Sequence, residues 1–206
     1  MSAHSFDTLA SLGAQAAAGA TDHCPFMPVF GAPQVMFAKG QGTELWDTEG
    51  KRYLDFLCGL AVTGLGHAHP VVTEAVAAQA STLLHVSNLF ANPVAAQAAV
   101  RVNSLLEEAT GAKGQVFFCN SGAEANEAAL KLARKFGGRG RHVVISAFGS
   151  FHGRTLASLA ATGNRHYQEA FDPMPEGFRH VPFNDLEAMR AAIRRLPGLS
   201  PLSSRQ

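Results

Sequence analysis

Residues 115–134, QVFFCNSGAEANEAALKLAR, place a short apolar run directly before a strongly helical one, with a bare junction of Ser121, Gly122 and Ala123 between them. The run 115–119 is compact and apolar, as a strand buried on both faces requires. In the helix, Ala125, Ala129, Leu132, Ala133 and Phe136 share one face and are expected to point inward. Glu127 and Lys131 stand at i,i+4 on another face, where they are expected to pair. A second apolar run, HVVISAF at 142–148, follows. Strand, helix and strand within about 35 residues form a βαβ unit, whose default is a right-handed crossover and a parallel sheet. The fold class is therefore α/β.

The junction has two readings. Ser121 to Glu124 spells S-x-x-E, a capping box in which serine and glutamate satisfy free backbone N–H groups. Packing, however, gives no reason for glycine there. A strand that delivers the chain to a helix N-terminus presents unpaired amides and a positive dipole end to an anion, and Gly122 lets that anion approach the backbone. Glu124 brings negative charge into the same turn, so it must point away or engage a separate donor. The chain has no GxxxxGK[ST], and GGRGRH at 137–142 neither follows a strand nor opens a helix, so a nucleotide phosphate is not signalled.

Working outward, QVMFAKG (34–40) and TELWDTEGKRYLDF (43–56) read as short antiparallel strands separated by glycines at 40–42 and a turn at 47–50. Pro70 in LGHAHP marks a helix start, with Val72, Ala75, Val76 and Leu83 as its apolar face. Asn92-Pro93 opens a further helix with a stripe of Val94, Ala98, Val102 and Leu105, ending near Gly111. Beyond residue 155 a helical stretch and a proline-rich link lead to DLEAMRAAIRRLPG, capped by Asp185, with Leu186, Met189, Ile193 and Leu196 as its inner face. The expected organisation is a mobile arm at 1–24, an N-terminal segment at 25–69, a partial large domain at 70–196 and an aberrant or truncated tail at 197–206.

With 17 basic against 16 acidic residues there is no field to hold nucleic acid or an anionic membrane surface. Cys24, Cys58 and Cys119 are odd in number and lack CxxC spacing, so neither a disulfide framework nor a zinc site is signalled. No basic leader and no long apolar span are visible, and a cytoplasmic location is expected. His67 and His69, two apart in a loop, do not by themselves make a metal site and are expected to pack or cap around the Pro70 helix start.

NSGAEANEAALKLAR (120–134) together with SFHGRT (150–155) resembles the class III, pyridoxal-phosphate-dependent aminotransferases, most closely the acetylornithine aminotransferase branch. The similarity takes in LWDTEGKRYLDF, GLAVTGLGHAHP and HVSNLF in family order, over roughly residues 30–190. The resemblance implies a fold-type I transferase, here incomplete: an N-terminal segment plus part of the large mixed or parallel-sheet domain. It implies pyridoxal 5'-phosphate as cofactor. Ser121, Gly122 and Ala123 match the positions around its phosphate, and Phe151 matches the aromatic that stacks on its ring. Arg154 matches the residue that takes the substrate α-carboxylate, a role suited to the guanidinium fork. Asn88 falls in a segment that lines the active-site entrance, often across a dimer interface. His152 reads as packed or backbone-bonded as readily as catalytic, and no acid–base role is assigned to it.

The resemblance further implies transfer of the amino group of N-acetylornithine to 2-oxoglutarate in arginine biosynthesis, by a homodimer. Ornithine, succinylornithine and 4-aminobutyrate are alternative donors, because these motifs do not fix the residues that read the distal group. The Schiff-base lysine and the acid facing the pyridinium nitrogen lie downstream in the family, so no catalytic residue is expected within the chain; Lys131, on the charged helix face, is not a substitute. Family members are roughly twice this length. The chain is therefore expected to be an N-terminal fragment, cut short or altered after about Leu196, and the different-class alternative is a non-catalytic remnant keeping only the phosphate cradle.

Overall fold

The computed structural model describes residues 27, 29–31 and 33–196; the expected arm at 1–24 and tail at 197–206 lie outside them. The chain divides into two units, at Met1–Asn92 and Pro93–Gln206. In the first, β1 (Phe37–Gln41), β2 (Glu44–Asp47) and β3 (Arg52–Leu54) form the expected antiparallel sheet in the order β1-β2-β3. Its second turn is built by Asp47, whose Oδ1 accepts from the Glu49 and Lys51 amides at 3.0 and 2.9 Å. The Tyr53 hydroxyl donates to Oδ2 of the same residue at 2.9 Å, and the Tyr53 ring meets Phe37 edge-on.

After β3, Cys58–Ala61 form one helical turn in which every residue has positive φ, from 50° to 67°. Left-handed backbone is costly for residues other than glycine, so something must hold it. Asp55 does so, its Oδ1 accepting from the Leu57 and Cys58 amides at 3.0 and 2.8 Å and its Oδ2 from His67 Nε2 at 2.6 Å. The His67 hydrogen bond, reinforced by the amides, holds the Asp55 carboxyl below the usual carboxylate range although desolvation pushes the other way. His69 occupies the N-cap position of α1 (Pro70–Ala80) without capping it through its side chain, so packing rather than capping describes it. Leu83, expected on that helix, lies beyond its end.

The second unit opens with α2 (Pro93–Thr110), which stops at Gly111, whose φ is +70°. Residues 115–119 correct the sequence reading: they form no strand, and Phe117 is 70% exposed. An apolar run becomes a strand only when a neighbour completes its ladder, and among the described residues 115–119 find none. Then come α3 (Gly122–Gly137), β4 (Val144–Ala147), α4 (Leu156–Ala161), β5 (Phe178–Val181) and α5 (Leu186–Arg194). A parallel pair does exist, but it joins β4 to β5 in the register Val144↔Phe178 to Ala147↔Val181. The βαβ unit thus lies one element further along than expected, with α4 as its helix. Asp185 caps α5 as expected, its Oδ1 accepting from the Ala188 amide at 2.9 Å.

The buried centre of this unit is small and largely polar. Leu159, Ala160, Ala161 and Val181 supply its apolar part, and Ser146, Ser158, Thr162 and Gln168 are buried with them. Each of these polar groups is satisfied, as burial demands. Ser146 Oγ donates to the Ala161 carbonyl at 2.6 Å, and Gln168 Nε2 donates to the carbonyls of Leu159 and Thr162 at 3.0 and 2.8 Å. Helix α3 presents the opposite face from the one expected. Leu132 and Phe136 stand exposed, whereas Ala123, Asn126, Glu127 and Leu130 are half-buried.

Candidate functional site

The bare junction is an extended Ser121 (φ −150°, ψ 160°) leading into α3 at Gly122. The capping box forms in a shifted version. Ser121 Oγ accepts from the Glu124 amide at 3.2 Å, while the Glu124 carboxylate reaches past Ser121 to the Asn120 amide at 2.6 Å and to Asn120 Nδ2 at 3.4 Å. This resolves the charge problem, because the carboxylate is drawn back onto Asn120. It also leaves the amides of Ser121, Gly122 and Ala123 without an acceptor among the described residues. The Ser121 hydroxyl, accepting at its oxygen, keeps its proton to donate. Nothing lies within 4 Å of the place a Gly122 Cβ would occupy. Open space, unpaired amides and a helix dipole end are what a phosphate requires.

The second motif is brought against the first. Gly153 has φ +133°, and a Cβ there would fall 2.8 Å from Ala123 Cβ and 2.6 Å from Ser158 Oγ. Only glycine allows this approach. The loop is tied along its length. The His152 carbonyl accepts from Asn126 Nδ2 at 2.6 Å, and the His152 amide donates to Thr162 Oγ1 at 2.9 Å. His152 is thus held through its backbone, with its ring Nδ1 3.4 Å from Ser150 Oγ.

Beside this anchored backbone, Phe151 is 61% exposed, an apolar ring open to a partner. The Arg154 guanidinium carbon lies 5.7 Å from the Phe151 ring centroid and 5.0 Å from that of Tyr167, so cation–π contacts orient it between two rings. Glu127 does not pair with Lys131: its Oε1 accepts instead from Thr155 Oγ1 at 2.6 Å and from the Ser158 amide at 3.0 Å. Lys131 is exposed on α3.

Ser121, Gly122, Ala123, Phe151 and Arg154 therefore belong to two motifs joined through the Ala123–Gly153 contact. Asn88 belongs to the first unit, in a turn after Ser87 (φ +65°), and is described there by itself. Asn126, Glu127, Thr155, Ser158, Thr162 and Tyr167 were missed as site-building residues. One signal was available: Asn126 and Glu127 are adjacent polar residues one turn into a helix whose apolar residues lie elsewhere. No cluster of His, Cys, Asp and Glu suited to a metal ion occurs among the described residues, and none of their helices is long and apolar enough to cross a membrane.

Residues 29–196 match the family model for aminotransferase class-III. The chain is 53% identical over 163 residues to the acetylornithine aminotransferase of Gloeobacter violaceus, covering 77% of this chain and 40% of that protein. Among solved structures it resembles the ornithine aminotransferase of Toxoplasma gondii, with a TM-score of 0.70 and 28% identity over 88% of this chain and 42% of that one. It also resembles an amine transaminase from an uncultivated Pseudomonas species in its PLP-bound form, with a TM-score of 0.70 and 26% identity over 77% of this chain and 38% of that one. The chain spans about 40% of the length of the curated relatives it matches.

Proposed function

The chain belongs to the class-III aminotransferases, and from that premise we propose that its second unit forms the phosphate and ring-stacking side of a pyridoxal phosphate site in an enzyme that takes the amino group of N-acetylornithine to 2-oxoglutarate. The observation that carries the proposal is the seating of Gly153 on Ala123, which fixes the amide turn and the Phe151–Arg154 loop to each other.

The residues present fit the cofactor. The amides of Ser121, Gly122 and Ala123 hold its phosphate, the Ser121 hydroxyl donates a further bond, and the empty space at Gly122 admits the phosphate oxygens. Phe151 covers the pyridine ring and restricts its tilt. Pyridoxal phosphate, when bound, supplies the electron sink that transamination needs. Arg154, oriented by Tyr167, meets a substrate carboxylate with two parallel N–H donors and so fixes which end of the amino acid faces the cofactor. Segments beyond 25–69 and 70–196 supply the lysine and the acid in this reading, and Asn88 lies at the entrance of an assembled homodimer.

A fluorescence titration tests the site: the chain binds pyridoxal phosphate at least tenfold more tightly than pyridoxal, which has the same ring and no phosphate. Equal affinities overturn the proposal. An amine-donor screen on a protein that includes the remaining family segments separates N-acetylornithine from ornithine, the donor suggested by the name of the Toxoplasma gondii neighbour.

A further inference from the structure

Helix α4 begins in an unusual way. Its N-cap, Thr155, makes no side-chain cap bond. The amide that an N-cap side chain would ordinarily take, that of Ser158, is instead accepted at 3.0 Å by Glu127, a residue of a different helix 31 positions earlier. The same carboxylate oxygen accepts from the Thr155 hydroxyl at 2.6 Å, and Thr155 Oγ1 is itself 2.7 Å from Ser158 Oγ. Thr155 donates its hydroxyl proton to the Glu127 anion, and the Ser158 hydroxyl, also 3.1 Å from the Thr155 carbonyl, shares its one proton between that carbonyl and Thr155 Oγ1. Ser158 is fully buried, so losing the acceptor of its amide is costly, whereas Thr155 stands exposed at the edge of the cluster. One residue earlier, Asn126 holds the His152 carbonyl. The loop carrying Phe151 and Arg154 is thereby gripped on both sides by adjacent residues of the helix whose first turn presents the free amides.

We propose that Glu127 is the positioning residue of this site: by capping α4 from α3 it fixes the Phe151–Arg154 loop in register with the Ser121–Ala123 turn. The proposal rests on the cofactor reading above. Glu127 touches no ligand. Its carboxylate sets the distance between the group that holds phosphate and the groups that hold ring and carboxylate, and preorganisation of this kind removes an ordering cost at binding.

The test compares Glu127→Ala, Glu127→Gln and Lys131→Ala, the last an exposed neighbour on the same helix, in the intact chain. Hydrogen exchange is followed in peptides covering 151–162 and 144–147, and each variant is titrated with pyridoxal phosphate while the visible circular dichroism of the bound cofactor is recorded. Expected for Glu127→Ala is about tenfold faster exchange at 151–162, with 144–147 unchanged, about tenfold weaker binding, and a reduced dichroic signal per bound cofactor. Glu127→Gln, whose amide oxygen can still accept both bonds, recovers most of each effect, and Lys131→Ala changes none. Wild-type exchange and dichroism in Glu127→Ala overturn the proposal, as does a loss in Glu127→Gln equal to that in Glu127→Ala. Should the wild-type chain bind no pyridoxal phosphate, the cofactor reading falls, and the exchange at 151–162 still decides whether Glu127 holds the loop.

Discussion

Gly153→Ala is the most informative single substitution in the second unit. The added methyl would stand 2.6 Å from Ser158 Oγ, 2.8 Å from Ala123 Cβ and 3.0 Å from Ala123 Cα. Reaching ordinary contact at 3.4 Å from Ala123 Cβ forces the loop back by about 0.6 Å, beyond the ~0.5 Å within which a binding constellation stays productive. The backbone adds its own cost. At φ +133° an L-residue is strained by about 1–3 kcal/mol, and overpacking adds about 1–3 kcal/mol more. The expected result is a loss of about 2–6 kcal/mol in urea unfolding, with at least a tenfold loss in affinity for pyridoxal phosphate, about 1.4 kcal/mol. Gly149→Ala is the control, because Gly149 also has positive φ (+75°) but has nothing within 4 Å of its Cβ position. It pays the strain without moving the loop. Wild-type affinity in Gly153→Ala, or equal affinity losses in both variants, would refute the claim that the Ala123 contact sets the site.

Further outcomes follow from the same contacts. Ser121→Ala removes the acceptor for the Glu124 amide and is expected to cost about 1 kcal/mol of stability, measured by urea unfolding. Gln168→Leu leaves the buried carbonyls of Leu159 and Thr162 without its Nε2 donor, at about 1–3 kcal/mol by the same assay. Asp55 has its pKa lowered by folding, so its stabilising effect is full above the unfolded value of 3.8 and is lost as pH falls through the lower folded value. Amide exchange at residues 57–62 is therefore expected to accelerate, relative to its intrinsic rate, as pH is taken below about 4, and Asp55→Asn should abolish that pH dependence.

What the sequence discloses and what it hides divide along local and non-local lines. The Ser121 cap, the Asp185 cap, the Pro70 helix start and the Asp47 turn are each decided within about four residues, and each appears where read. Strand 178–181 escaped notice because FRHV places Arg179 and His180 in a strand, against the apolar pattern of a parallel sheet. Its partner lies more than thirty positions earlier, and no local signal carries that pairing. The opposite error occurred at 115–119, where an apolar run has strand character but no ladder partner among the described residues. Periodicity placed the apolar stripe of α3 correctly in the chain, but not the neighbour it would meet. The helix instead sets Asn126 and Glu127 against the loop, since two polar side chains satisfy the backbone groups offered there. The Glu127–Lys131 pairing failed for the same reason. A buried amide and a hydroxyl outcompete an exposed i,i+4 ammonium worth about 0.2–0.5 kcal/mol. The motif residues 121–123, 151 and 154 were legible through resemblance; the contacts that assemble them were not.

The claim that the α3 entrance is a phosphate cradle is tested most directly by Gly122→Val, titrated calorimetrically with pyridoxal phosphate. Open space surrounds the Gly122 Cβ position, so the new side chain is rooted where no neighbouring element crowds it, and the fold is expected to be retained. It obstructs what approaches the free amides. The account predicts an unchanged circular dichroism spectrum and unfolding midpoint, with affinity for pyridoxal phosphate reduced at least tenfold and affinity for pyridoxal unaltered. Undiminished binding of pyridoxal phosphate to a folded Gly122→Val chain would contradict it.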